Sequence, residues 1–167
     1  MSALKAPHPG DVYARSKEHT AELRARYPKQ FEGPFISVGW PDGWHRLVTE
    51  VCAYAAAHHP DLRWAQIKEK FGGLRLYYRG GPLRADIQCS DGVYSMVIPR
   101  EEGEFITSLQ EVVSNAEKAS LETCCLCGGL SGVPGAKPHN FGGWWLTACP
   151  ACIPKIEAHR SLPWNER

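Results

Sequence analysis

The sequence predicts an α+β fold in which helices pack on a small antiparallel sheet made of hairpins, with a cysteine-rich finger of treble-clef or ribbon type at the C-terminal end. Three observations predict it. Apolar residues recur with a helical period over 43–58 and 102–120, residues 62–98 alternate and are broken by glycines, and two Cys-x2-Cys turns follow at 124–127 and 149–152. The organisation expected is an N-terminal arm and helix (1–34), an α+β body (35–120) and a finger segment (121–167).

Residues 1–10, with two prolines and a glycine, read as an extended arm. Asp11 is placed to cap a helix running to Tyr27, ended by Pro28, with Val12, Tyr13, Leu23 and Tyr27 as a thin apolar stripe. Gly33-Pro34 breaks the chain before the short apolar run Phe35 to Val38. Asp42 is placed to cap the second helix, whose face is Trp44, Leu47, Val48, Val51, Cys52 and Ala55. His58 and His59 fall in its last turn and read as solvated.

Arg63 to Phe71 and Leu74 to Arg79 read as two strands, with Gly72-Gly73 supplying the positive φ angles of a two-residue turn. Leu74, Leu76 and Tyr78 should point one way and Arg75, Tyr77 and Arg79 the other. A weaker hairpin follows, Leu83 to Cys89 and Val93 to Ile98 around Ser90-Asp91-Gly92. The third helix, 102–120, turns Phe105, Ile106, Leu109, Val112, Val113 and Ala116 inward, and its acidic outer face could lie near the basic hairpin.

A net charge of +1 argues against a strongly basic nucleic-acid binder. The charge is unevenly laid out, with basic residues at 61–84 and acidic ones at 101–122. No apolar run opens the chain and no stretch approaches the roughly 20 apolar residues of a membrane span, so a cytoplasmic protein without membrane contact is expected. Seven cysteines, an odd number, fit reduced thiols and a metal site better than a disulfide framework.

Cys124, Cys127, Cys149 and Cys152 are the expected ligands of one structural zinc ion. Thiolates two apart in a tight turn reach one ion at about 2.3 Å, and two such turns complete a tetrahedron. Gly128 and Gly129 let the first turn fold back. The connection over 128–148 slightly exceeds the roughly 15–20 residues usual for such pairs; its glycines and prolines suggest a loose loop, followed by a strand at Trp144-Trp145-Leu146-Thr147. A short helix after Cys152 accepts Pro154 in its first turn and turns Ile156 inward. Four sulfurs close the coordination sphere, which makes the ion structural. Cys125 reads as a bystander. HNH-type nucleases also use a four-cysteine frame, but His139-Asn140 has no second histidine before Cys149.

Lys68, Lys70 and Arg75 around a Gly-Gly turn could hold phosphate, with Tyr77 and Trp64 available for stacking, or could simply make a solvated hairpin face. Neither a P-loop nor a magnesium-binding acid accompanies them. Gly39-Trp40-Pro41-Asp42-Gly43-Trp44, then Lys68-Glu69-Lys70-Phe71-Gly72-Gly73-Leu74-Arg75-Leu76-Tyr77, then Cys-x2-Cys-Gly after an acidic helix, resemble a family of small uncharacterised proteins from phages, prophages and bacterial genomes. The resemblance covers roughly residues 36–152. It implies an accessory factor of a mobile element, and no mechanism.

The function expected is a non-enzymatic, zinc-stabilised protein that binds another protein, with Trp144, Trp145, Trp164 and Tyr77 as candidate anchors. At least one tryptophan of the adjacent pair is expected to pack inward. A nucleic-acid binder using the 61–84 hairpin, with weak affinity, and a small-nucleotide binder are the alternatives. The sequence shows no Ser-His-Asp set, no Cys-His pair in a recognisable setting and no motif-placed carboxylate pair, and it does not fix an oligomeric state.

Overall fold

The computed structural model describes residues 6–34, 36–98 and 105–167, and the side chains of all of these but 105–107. Among these residues the fold is α+β: four α-helices around three small sheets. Helix α1 spans Ser16–Arg26 and α2 spans His45–His58. Strands β2 (Trp64–Lys70) and β3 (Gly73–Tyr78) form an antiparallel hairpin, and the short β1 (Ser37–Val38) joins β2 in parallel. A second hairpin pairs β4 (Leu83–Cys89) with β5 (Gly92–Ile98). Helix α3 (Phe105–Ser120) packs on α2 and β3. The hairpin of β6 (Lys137–Asn140) and β7 (Trp145–Ala148) leads into α4 (Ile153–Arg160).

One core runs through body and finger alike. Trp40, Trp44 and Trp64 are fully buried with Leu23, Ile67, Leu74, Leu76, Leu109, Leu146 and Ile156, and the cysteine turns belong to the same cluster. Buried Gln30 joins two elements, donating to the Cys52 carbonyl (2.8 Å) and accepting from the Trp64 indole (3.0 Å). No helix among the described residues is long and apolar enough to cross a membrane.

Several details differ from the sequence expectation. The first helix begins at Ser16, because Asp11 closes a local turn by accepting from the Tyr13 N–H (3.0 Å). Asp42 caps not its own helix but the other one: its carboxylate accepts from the N–H of Arg15, the N-cap of α1, at 3.0 and 3.2 Å. His58 is exposed as expected, but His59 is buried. The hairpin turn sits one residue earlier than expected. Lys70 pairs with Gly73, so Phe71 (φ +53°) and Gly72 (φ +83°) are the turn residues. A phenylalanine in the left-handed region is held there by Glu69, which accepts from the Gly72 N–H (2.9 Å). The rear of the 128–148 connection is not loose, since residues 137–140 pair with β7. The glutamates expected to open the third helix (101, 102 and 104) and the Phe105 and Ile106 side chains lie outside the described residues.

The two body hairpins do not merge into one sheet, and the reason is visible at the outer edge of β3. The Leu74 N–H donates to the Ser120 hydroxyl (2.8 Å) and the Leu76 N–H to the Glu117 carboxylate (2.9 Å). Side chains of α3 thus satisfy the donors that a further strand would need, so β4 and β5 pair only with each other.

Candidate metal centre and apolar face

Cys124, Cys127, Cys149 and Cys152 converge as expected, with their sulfurs within 4.8 Å of one another; all are buried except the half-buried Cys127. Tetrahedral ligands at 2.3 Å from an ion lie about 3.8 Å apart, and Cys127 Sγ stands 3.8 Å from Cys149 Sγ. That pair already stands at the separation such an ion requires.

The backbone is organised for anionic sulfur. Amides of Leu126, Cys127 and Cys149 bond to the Cys124 sulfur, and those of Gly129 and Ser131 to that of Cys127. The Ser131 hydroxyl lies 3.3 Å from Cys149 Sγ. Gly128 and Gly129 take φ of +60° and +94°, which is how the chain doubles back to present those amides. The Cys124 thiol is held well below its ordinary value, first by a hydrogen bond from Cys125 and then by the amides. Burial and the charge on Cys124 push Cys152 up. Four largely buried thiols this close do not all ionise readily without a cation among them. The set could hold a metal ion and leaves it no open position. Cys125, buried beside it, donates its N–H to the Thr147 carbonyl (2.7 Å) and is not in the cluster. His139 instead faces Glu157 (3.7 Å) and edges onto Phe141.

The finger is joined to the body by polar contacts as well. Trp144 donates from its indole to Glu69 (2.9 Å), the Thr147 hydroxyl donates to the Gly72 carbonyl (2.7 Å), and the Trp44 indole donates to the Thr123 carbonyl (2.8 Å). Trp144 also lies beneath the Arg160 guanidinium at 4.6 Å and stacks near Tyr13. It is the tryptophan of the pair that packs inward, while Trp145 is 37% exposed and Trp164 is 85% exposed.

The basic hairpin is largely neutralised from within. Arg75 is buried rather than solvated, 3.7 Å from Asp86, and Lys70 lies 3.1 Å from the same carboxylate. Arg84 forms a two-pronged pair with Glu117, its Nη2 reaching Oε2 at 2.7 Å, with both side chains under 10% exposed. Lys68 and Arg84 lie over the Tyr77 ring, at 5.7 and 5.3 Å. The acidic helix does face the basic segment, through Glu117.

Those pairs reveal what sequence reasoning missed. On β4, Arg84 and Asp86 turn toward the body, so their neighbours Leu83, Ala85 and Ile87 turn away from it. The register places Ile98, Met96 and Tyr94 opposite these three. The hairpin is therefore inverted, its charged residues inward beside Val93 and Val97 and its larger apolar side chains outward, with Leu83, Ile87, Tyr94, Met96 and Ile98 each about half exposed. Val93, on the inner side, borders a cavity of about 410 Å³ shared with Phe71, Leu121, Pro138 and Trp145. The alternation of β4 was legible, but which phase faced the core was not.

No family model, no curated protein and no solved structure matches the chain. What it does must be read from its own side chains.

Proposed function

We propose that the protein is a non-enzymatic, zinc-stabilised binding protein that docks on another protein through the outer face of the β4–β5 hairpin. In this reading the cysteines carry one structural zinc ion in a treble-clef setting: first turn, β6–β7 hairpin, then a helix whose first turn follows the second pair. The setting implied by the resemblance is that of a phage or mobile-element accessory factor in a bacterial cytoplasm, with a host or defence protein as the partner.

The single observation that carries the docking reading is the inversion of the hairpin. Soluble antiparallel sheets put the apolar face on the core, and an isolated two-stranded hairpin is marginal in water. Here the apolar face is outermost and, among the described residues, no other strand pairs with either hairpin edge. Covering the exposed half of five large side chains would contribute on the order of 1 kcal/mol apiece. The pairing of Lys70, Arg75 and Arg84 with Asp86 and Glu117 weighs against the nucleic-acid and nucleotide alternatives, because affinity for phosphate needs charge that is not already compensated.

A photo-crosslinking residue at Tyr94 tests this in the cell from which the protein comes, against a control at exposed Lys17. A discrete heterologous adduct from position 94, lost on Ile87→Lys or Met96→Lys in protein that remains folded, supports the reading. Adducts only to a second copy of the chain, or equal labelling from both positions, overturn it.

A further inference from the structure

We propose that His19, Glu22 and His45 form a second, solvent-reachable site for a divalent transition-metal ion, separate from the cysteine cluster. His19 and Glu22 are three apart on α1 and so share a helix face, and His45 is the first residue of α2. One potential ligand atom from each lies within 4.8 Å of the others. Nitrogen and oxygen ligands at about 2.0–2.1 Å from a tetrahedral ion stand roughly 3.4 Å apart. His45 Nε2 and Glu22 Oε2 are 3.1 Å apart in a hydrogen bond, which an ion would replace.

The two imidazoles stack with centroids 3.9 Å apart, and His19 is buried. Nδ1 of His45 is buried without a hydrogen-bond partner among the described residues, and the ring lies parallel to fully buried Trp40. One ring must turn out of this stack before both in-plane lone pairs reach one ion. Asp42 stands 3.7 Å from His19 Nε2 and is itself fixed by the Arg15 N–H. The Glu22 side chain is 55% exposed, which gives an ion a way in.

Two imidazoles, one carboxylate and no sulfur suit zinc, cobalt or nickel better than magnesium or calcium. Three protein ligands leave a position for water, unlike the closed cysteine set. The occupied site would tie α1 to α2 and hold an exchangeable ion.

Cobalt(II) titration of the full-length, metal-free protein, followed by absorption and native mass spectrometry, reads both sites at once. The cysteine cluster gives thiolate-to-cobalt charge transfer; the second equivalent should add only weak ligand-field bands. Glu22→Gln and His45→Gln should each weaken the second equivalent at least tenfold and leave the charge-transfer bands intact, whereas Cys149→Ser should do the reverse. Binding of a single equivalent, a second equivalent that also raises charge transfer, or a second equivalent indifferent to both substitutions would overturn the proposal. Glu22→Gln carries the test if His45→Gln does not fold, because Glu22 is on the surface.

Discussion

The backbone N–H of Gly43 donates to the Cys125 carbonyl at 2.8 Å, which seats the first cysteine turn on the entrance to α2. No side chain fits between them. A Cβ on Gly43 would overlap the Cys124 carbonyl and come within 2.7 Å of the Gly128 nitrogen, and a Cβ on Gly128 would stand 2.7 Å from the Gly43 carbonyl oxygen. Gly43→Ala should therefore destabilise the protein by about 1–3 kcal/mol and speed metal loss to a chelator. Gly39→Ala is the control, since its Cβ would meet only the Ser16 hydroxyl at 3.7 Å. Thermal melts and chelator kinetics on the two variants check this; equal behaviour would mean that the turn yields.

Because the cysteine turns share one core with the body, removing the ion should be felt throughout the chain. Chelation, or Cys149→Ser, is expected to lower the melting temperature by on the order of 10 °C or more. Cys125→Ala should hold as much metal as the parent protein. Loss of metal from the Cys125 variant would require a different ligand set.

The Arg84–Glu117 pair joins β4 to α3 with both groups buried. Glu117→Gln leaves the guanidinium without its counter-charge and should cost about 3 kcal/mol or more. The double change Arg84→Met with Glu117→Gln should cost less than Glu117→Gln alone, since it removes the stranded charge. Denaturant unfolding of the single and double variants measures the difference. A single-variant loss under about 1 kcal/mol would place the pair with weak, water-screened ones.

His59 provides a pH test. Burial, and secondarily neighbouring His58, hold it below its ordinary 6.5, so the folded protein favours the neutral ring. The unfolded chain takes up the proton more readily, hence this contribution to stability is complete above pH 6.5 and declines as pH falls below it. His19 and His159 shift the same way, also chiefly through burial. His59→Gln should therefore flatten the acid-side slope of stability without abolishing it. An unchanged slope, read from melts across that range, would show that His59 titrates alike in both states.

Local chemistry made a good part of this molecule legible in its sequence. The apolar period of 43–58 became α2, the alternation around glycine-bearing turns became both body hairpins, and the Cys-x2-Cys spacing named the four cysteines that cluster. These signals depend on residues close in the chain, where helix period, strand period and turn geometry act directly. What the sequence left open depends on partners distant along it. Asp42 caps α1 because tertiary packing brings Arg15 to it, and Gly43 needs its missing side chain because Gly128 lies against it. His19 and Glu22 meet His45 only because α1 folds back on α2. The same holds for β4: a strand with one charged and one apolar face can turn either to the core, and the distant partners of its charges, Glu117 on α3 for Arg84 and Lys70 and Arg75 of the first hairpin for Asp86, decided that the charged face goes in.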